Sequence, residues 1–94
     1  MARTRQIEPE FYLDDELAKC SRDARLLLTG LWMLADPAGI VGNRPLRIKA
    51  QVFPYDTDID AAAVSGFLRE LEAHGFIYIH EAEGKSCIQV CTSR

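Results

Sequence analysis

The apolar residues change their spacing at Gly75, and that change constrains the fold more than any other feature of the chain. Before it, Ile59, Ala63, Val64, Phe67, Leu68 and Leu71 recur at i, i+4, i+5, i+8, i+9 and i+12, one face of a helix. Beyond it, Ile77 and Ile79 alternate with Tyr78 and His80. Ile88 and Val90 then alternate with Cys87, Gln89 and Cys91, the period-two pattern of half-buried strands. Glu81 to Lys85 forms the turn between them. A two-stranded hairpin is unstable alone in water, so it must lean on the helices. The sequence predicts Asp58 as the cap of the long helix and Gly75 as its left-handed end, with Arg69, Glu70 and Glu72 facing away from the core. Gly66 inside this helix either costs up to about 1 kcal/mol of propensity or admits a neighbouring backbone at close range.

The same reading extends upstream. Residues 1–12 lack helical periodicity and read as an arm. Asp14 can cap a short acidic turn, and Ser21 a proper helix. In that helix Leu27, Leu28, Leu31, Leu34 and Ala35 form one wide stripe. Leu26 and Met33 lie off the stripe, which predicts a central helix covered on more than one side, and Trp32 is expected in the core. Pro37 and Gly39 stop the helix. Ile40-Val41 makes a minimal strand, expected beside the hairpin in a three-stranded sheet. Pro45 then opens about two helical turns that end before Pro54. The order is helix, short strand, short helix, long helix, hairpin. It predicts an α+β domain of the winged helix-turn-helix type, with three main helices and a C-terminal β-hairpin wing.

At 94 residues there is room for one domain, expected to span 1–94 and to be the front of a longer protein. Hydrophobic content of 48% and charged content of 27% exclude a chain that is disordered, collagen-like or membrane-embedded as a whole. No apolar run approaches bilayer length, and no apolar stretch follows the basic residues at the amino terminus. The three cysteines, without a secretory signal, read as reduced, partly buried thiols in a cytoplasmic protein. No Cys-x-x-Cys pair occurs, and neither His74 nor His80 has ligand spacing around it, so no metal or other cofactor is expected.

Nothing in the sequence composes a catalytic site: there is no Gly-rich phosphate loop and no Gly-x-Ser-x-Gly elbow. Asp56, Asp58 and Asp60 alternate like the opening of a calcium loop. The sixth position, which needs glycine, is Ala61, and the twelfth, which needs glutamate, is Phe67. Helix capping accounts for these acids better. Nucleic-acid binding is more promising, although the net charge is −3. Residues 1–52 carry eight cations against seven acids, and residues 53–94 three against seven, so phosphate contacts must fall mainly on the first part. Asp56, Asp58 and Asp60 would repel a polyanion from the start of the long helix, the usual reading element of such a fold. The candidate contacts are Arg44, Arg47 and Lys49 at the short helix, Arg3 and Arg5 on the arm, and Lys85 on the wing tip. Such residues meet phosphates, giving affinity with little sequence reading. The bland alternative is solvated surface charge. A third role, a protein-interaction or dimerisation module, suits the acidic long helix, Tyr78 and the free strand edges.

Met1–Ile7, Glu10-Phe11-Tyr12, Leu17-Ala18, Ala24–Leu27, Gly30–Asp36, Asn43–Ala50, Val52–Asp56, Leu71–Ile77 and Ile88-Gln89-Val90 together resemble amino-terminal winged-helix domains of phage and prophage replication proteins of the replisome-organiser or primosome type. The most specific segment is Arg44-Pro45-Leu46-Arg47-Ile48-Lys49-Ala50. The similarity covers nearly the whole chain and departs from it at Cys91-Thr92-Ser93-Arg94, where a proline and an aromatic are expected. The resemblance implies non-enzymatic binding of duplex DNA at a replication origin, or assembly of replication proteins there. It also implies the cytoplasm of a bacterial host cell, and a homodimer is a further expected assembly. No membrane, small-molecule substrate or cofactor is implied, and Arg44, Arg47 and Lys49 are the matched basic positions.

Overall fold

The computed structural model describes residues 6–91. From the amino terminus, α1 (Glu10–Leu13) and a 3-10 turn (Leu17–Lys19) lead into α2 (Arg22–Leu34). Then follow β1 (Ile40–Gly42), α3 (Pro45–Val52), α4 (Ala61–Ala73), β2 (Ile77–Ala82) and β3 (Lys85–Val90). The sheet has the three expected strands; it is antiparallel in the order β1-β3-β2, with β3 central. Four helices and this sheet make an α+β domain, and no described helix is long and apolar enough to cross a membrane.

Local chemistry explains most boundaries. Asp14 Oδ1 accepts from the Glu16 and Leu17 amides (2.9 and 3.0 Å) and starts the 3-10 turn. Ser21 Oγ accepts from Ala24 N at 3.1 Å and caps α2. Pro45 occupies the first turn of α3. At the end of α4, Phe76 N bonds Leu71 O and Gly75 N bonds Glu72 O, with Gly75 at φ +81°, a Schellman closure that only glycine adopts without strain.

Several expectations need correction. The cap of α4 is Asp60, not Asp58: Asp60 Oδ1 accepts from Ala63 N at 2.8 Å. Ile59, buried just before the cap, and Val64 occupy the two positions of a hydrophobic staple, and burying Ile59 sets the helix start two residues later. The arm is not irregular throughout, because residues 10–13 turn as α1 and Phe11 packs edge-on against Trp32, with centroids 5.4 Å apart. Leu26 and Met33 are exposed, so α2 buries one stripe and is not covered on that flank. Trp32 itself is half-buried at the rim of the core rather than within it. The hairpin turn is shorter than Glu81–Lys85. Only Glu83 and Gly84 lie between the strands, both at positive φ (54° and 77°), the type I′ geometry that matches strand twist. At Gly66 an added Cβ would meet only the Arg69 side chain, at 3.9 Å, so no neighbouring backbone requires glycine there.

The acids of α4 are used, not merely solvated. Glu70 accepts from both the amide and the hydroxyl of Ser21 (2.9 and 2.8 Å), tying α4 to the start of α2. Glu72 accepts from Ile79 N at 2.8 Å and so occupies a donor on the outer edge of β2. The core between helices and sheet is built on Leu27, Leu28, Leu31, Ile48, Phe53, Val64, Leu68, Leu71, Ile77 and Ile88. Cys20 joins it, and burial pushes its thiol up from the ordinary value, with Glu70 adding to the effect.

His74 Nδ1 lies 2.6 Å from Glu16 Oε2, pinning the end of α4 to the 3-10 turn. That hydrogen bond, followed by one from Lys19, holds the Glu16 carboxyl below its ordinary value of 4.5. A carboxylate lowered in the folded state contributes stability above its unfolded value and loses it as pH falls through the folded one. The difference in melting temperature between wild type and Glu16→Gln is therefore expected to shrink as pH drops below 4.5. A difference unchanged from neutral pH to about pH 3 would show that the pair contributes nothing.

Candidate nucleic-acid interface

The short link between β1 and α3 organises the basic residues. Register pairs Gly42 with Cys87. One step on, Asn43 N donates to Ser86 O and Asn43 Nδ2 to Ser86 Oγ, both at 3.0 Å. Arg44 follows as the N-cap of α3, with non-helical φ and ψ (−129° and 86°), and its amide donates to Gly42 O at 2.9 Å. Its Cγ and Cδ would lie 3.9 Å from a Cβ at Gly42, so the aliphatic stem runs over that glycine. Cross-strand alternation puts Gly42, Cys87 and Lys85 on one face. Arg44 and Lys85, forty-one positions apart in the chain, thus come to the same end of the sheet on the same side.

Within α3 the buried anchor is Ile48, 2% exposed. At about 100° per residue, Arg47 and Lys49 project on opposite flanks of Ile48, roughly 160° apart. Arg44 falls on the Arg47 side. Periodicity and register therefore put Arg44 on the Arg47 flank of α3 and at the Lys85 end of the sheet, and set Lys49 on the other flank; Lys49 is half-buried while the other three are exposed. Arg3 and Arg5 lie outside the described residues. Among the described residues, the ion pairs join Glu16 to Lys19 and to His74, and none involves Arg44, Arg47, Lys49 or Lys85. These cations are free to take a polyanion.

The start of α4 has the opposite character. Asp56, Asp58 and Asp60 are all exposed there, and Asp60 is committed to its cap. A phosphate backbone approaching this end would meet repulsion. The sequence reading did not single out the outer face of the sheet. There the Tyr78 and His80 rings stack, with centroids 5.3 Å apart and planes 30° from parallel. The alternation of β2 already sets Tyr78 and His80 opposite Ile77 and Ile79; the register adds that Gln89, Cys87, Ile40 and Gly42 share their face. Among the described residues, no group of three or more His, Cys, Asp or Glu could hold a metal ion. No protein-family model, no curated protein and no solved structure matches the chain.

Proposed function

We propose that this is a winged helix-turn-helix domain that binds DNA non-enzymatically, chiefly through phosphates, within replication machinery of the phage type. The hairpin β2–β3 is the wing, and α3 with α4 the helix-turn-helix pair. The replication context rests on the resemblance centred on Arg44–Ala50. The observation that carries DNA binding is that Arg44, Arg47 and Lys85 are all exposed and, among the described residues, form no ion pair, in a chain of net charge −3. The acidic start of α4 turns the reading away from insertion of that helix into a groove and toward docking by the β1–α3 corner and the wing.

Fluorescence anisotropy with a duplex oligonucleotide at two salt concentrations tests this. Replacing Arg44, Arg47 and Lys85 together by Ala is expected to weaken binding at least about tenfold. The slope of log affinity against log salt should become shallower by about 2–3. Lys49→Ala alone should change little. Equal affinity and slope for wild type and the triple variant would refute the reading. A second reading, self-association of this chain, is favoured by an apolar groove lined by Ile7, Leu26, Trp32, Met33 and Val52. A concentration-dependent dimer in sedimentation, with no duplex binding at low salt, would decide for it.

A further inference from the structure

We infer that the outer face of the sheet is a stacking platform for single-stranded DNA, continuous with the basic corner. The inference rests on the reading of Arg44 and Lys85 as phosphate contacts and adds the class of strand they serve. Register sets two rows across this face: Tyr78, Gln89 and Ile40 in one, His80, Cys87 and Gly42 in the next. Lys85 continues the face along β3 toward the turn, paired with Ala82. The other face of the same strands, carrying Ile77, Ile79, Ile88, Val90 and Val41, belongs to the core and its margin. Tyr78, by contrast, is 59% exposed.

Three properties of the outer face suit an unpaired strand. The Tyr78 and His80 rings already stack, with planes 30° apart, and offer aromatic surface on which a base can stack. The paired positions of the outer face contain no carboxylate; alternation turns Glu81 to the other side, and Glu83 stands in the turn. Arg44 and Lys85 bound one end of the face, without acidic partners, where a backbone leaving the stacked bases would run. A duplex keeps its base faces inside the helix and cannot use Tyr78 in this way, whereas a single strand can use ring and cations together. Gln89 takes no part in reading bases through its amide nitrogen, which is committed to Ala38 O at 3.0 Å and holds that side chain in place.

The test is anisotropy with a fluorescein-labelled oligothymidylate of about a dozen nucleotides, beside a labelled duplex and an oligouridylate of equal length. Tyr78→Ala is expected to weaken oligothymidylate binding about five- to a hundredfold while leaving duplex binding within about twofold. Tyr78→Phe, which keeps the ring, should bind the single strand like wild type. Thermal melts of both variants, superimposable on wild type, show that the exposed position has not altered folding. Wild-type affinity for the single strand in Tyr78→Ala overturns the platform even if duplex binding stands. No wild-type binding to oligothymidylate overturns it as well. An oligouridylate bound more tightly than oligothymidylate overturns the assignment to DNA. Loss of both duplex and single-strand binding in the Arg44/Arg47/Lys85 triple variant, with Tyr78→Ala selective for the single strand, supports both readings together.

Discussion

Phe53→Ala is expected to lower the free energy of unfolding by about 3–5 kcal/mol. Phe53 is 1% exposed and stands where α3 ends: its amide closes the helix on Lys49 O at 2.8 Å, and Pro54 follows. Its ring lies 6.0 Å from that of Phe67 on α4, so one side chain fills the angle between the two helices. Truncation removes a fully buried aromatic and leaves a cavity against Phe67. A chain of 94 residues has roughly 5–14 kcal/mol in total, so the loss is a large share of it. Urea denaturation should show a lower midpoint with an unchanged slope. Phe53→Leu, which retains most of the volume, should cost less than about 1.5 kcal/mol. A loss below about 1 kcal/mol for the alanine variant would mean that α3 and α4 are held together elsewhere. The result bears on the interface, because α3 carries Arg47 and its seating aims that side chain.

What could be read from the residues was what depends on near neighbours. Ser21 caps α2 because a hydroxyl three positions before a free amide needs nothing else, and the Schellman closure at Gly75 is equally local. The three-stranded sheet followed from period-two alternation and the instability of a lone hairpin, but the central place of β3 rests on its pairing with β1, which no local pattern sets. The cap of α4 was misplaced by two residues because capping alone ranks Asp58 and Asp60 equally. Burial of Ile59 decides between them, and burial is a tertiary fact. Leu26 and Met33 show the converse limit: their type predicts a covering that no element of the described chain supplies. At the candidate interface, the opposed flanks of Arg47 and Lys49 follow from helical geometry alone. The meeting of Arg44 with Lys85 does not, since it depends on the register of β1 against β3. The bidentate grip of Glu70 on Ser21 is likewise invisible to any pattern along α4.

Gly30→Ala is expected to destabilise the domain by about 1–2 kcal/mol, although alanine is the better helix former. Gly30 lies inside α2, and a Cβ there would stand 2.7 and 2.8 Å from the two γ-methyls of Val52, the last residue of α3. Such distances require the neighbour to move. Valine is stiff about χ1, and because both methyls are implicated, no simple rotation relieves the contact. The overpacking cost of roughly 1–3 kcal/mol thus outweighs a propensity gain of at most about 1 kcal/mol. Val52→Ala removes both methyls and leaves a Cβ contact of 3.3 Å that a shift of a few tenths of an ångström relieves, so in that background Gly30→Ala should be close to neutral. A double-mutant cycle by urea denaturation should therefore return a coupling of about 1–3 kcal/mol. Strict additivity would show that α2 and α3 can separate at this point without cost. The glycine would then serve no close approach, and the spacing that forms the floor of the Trp32 groove would be set by other contacts.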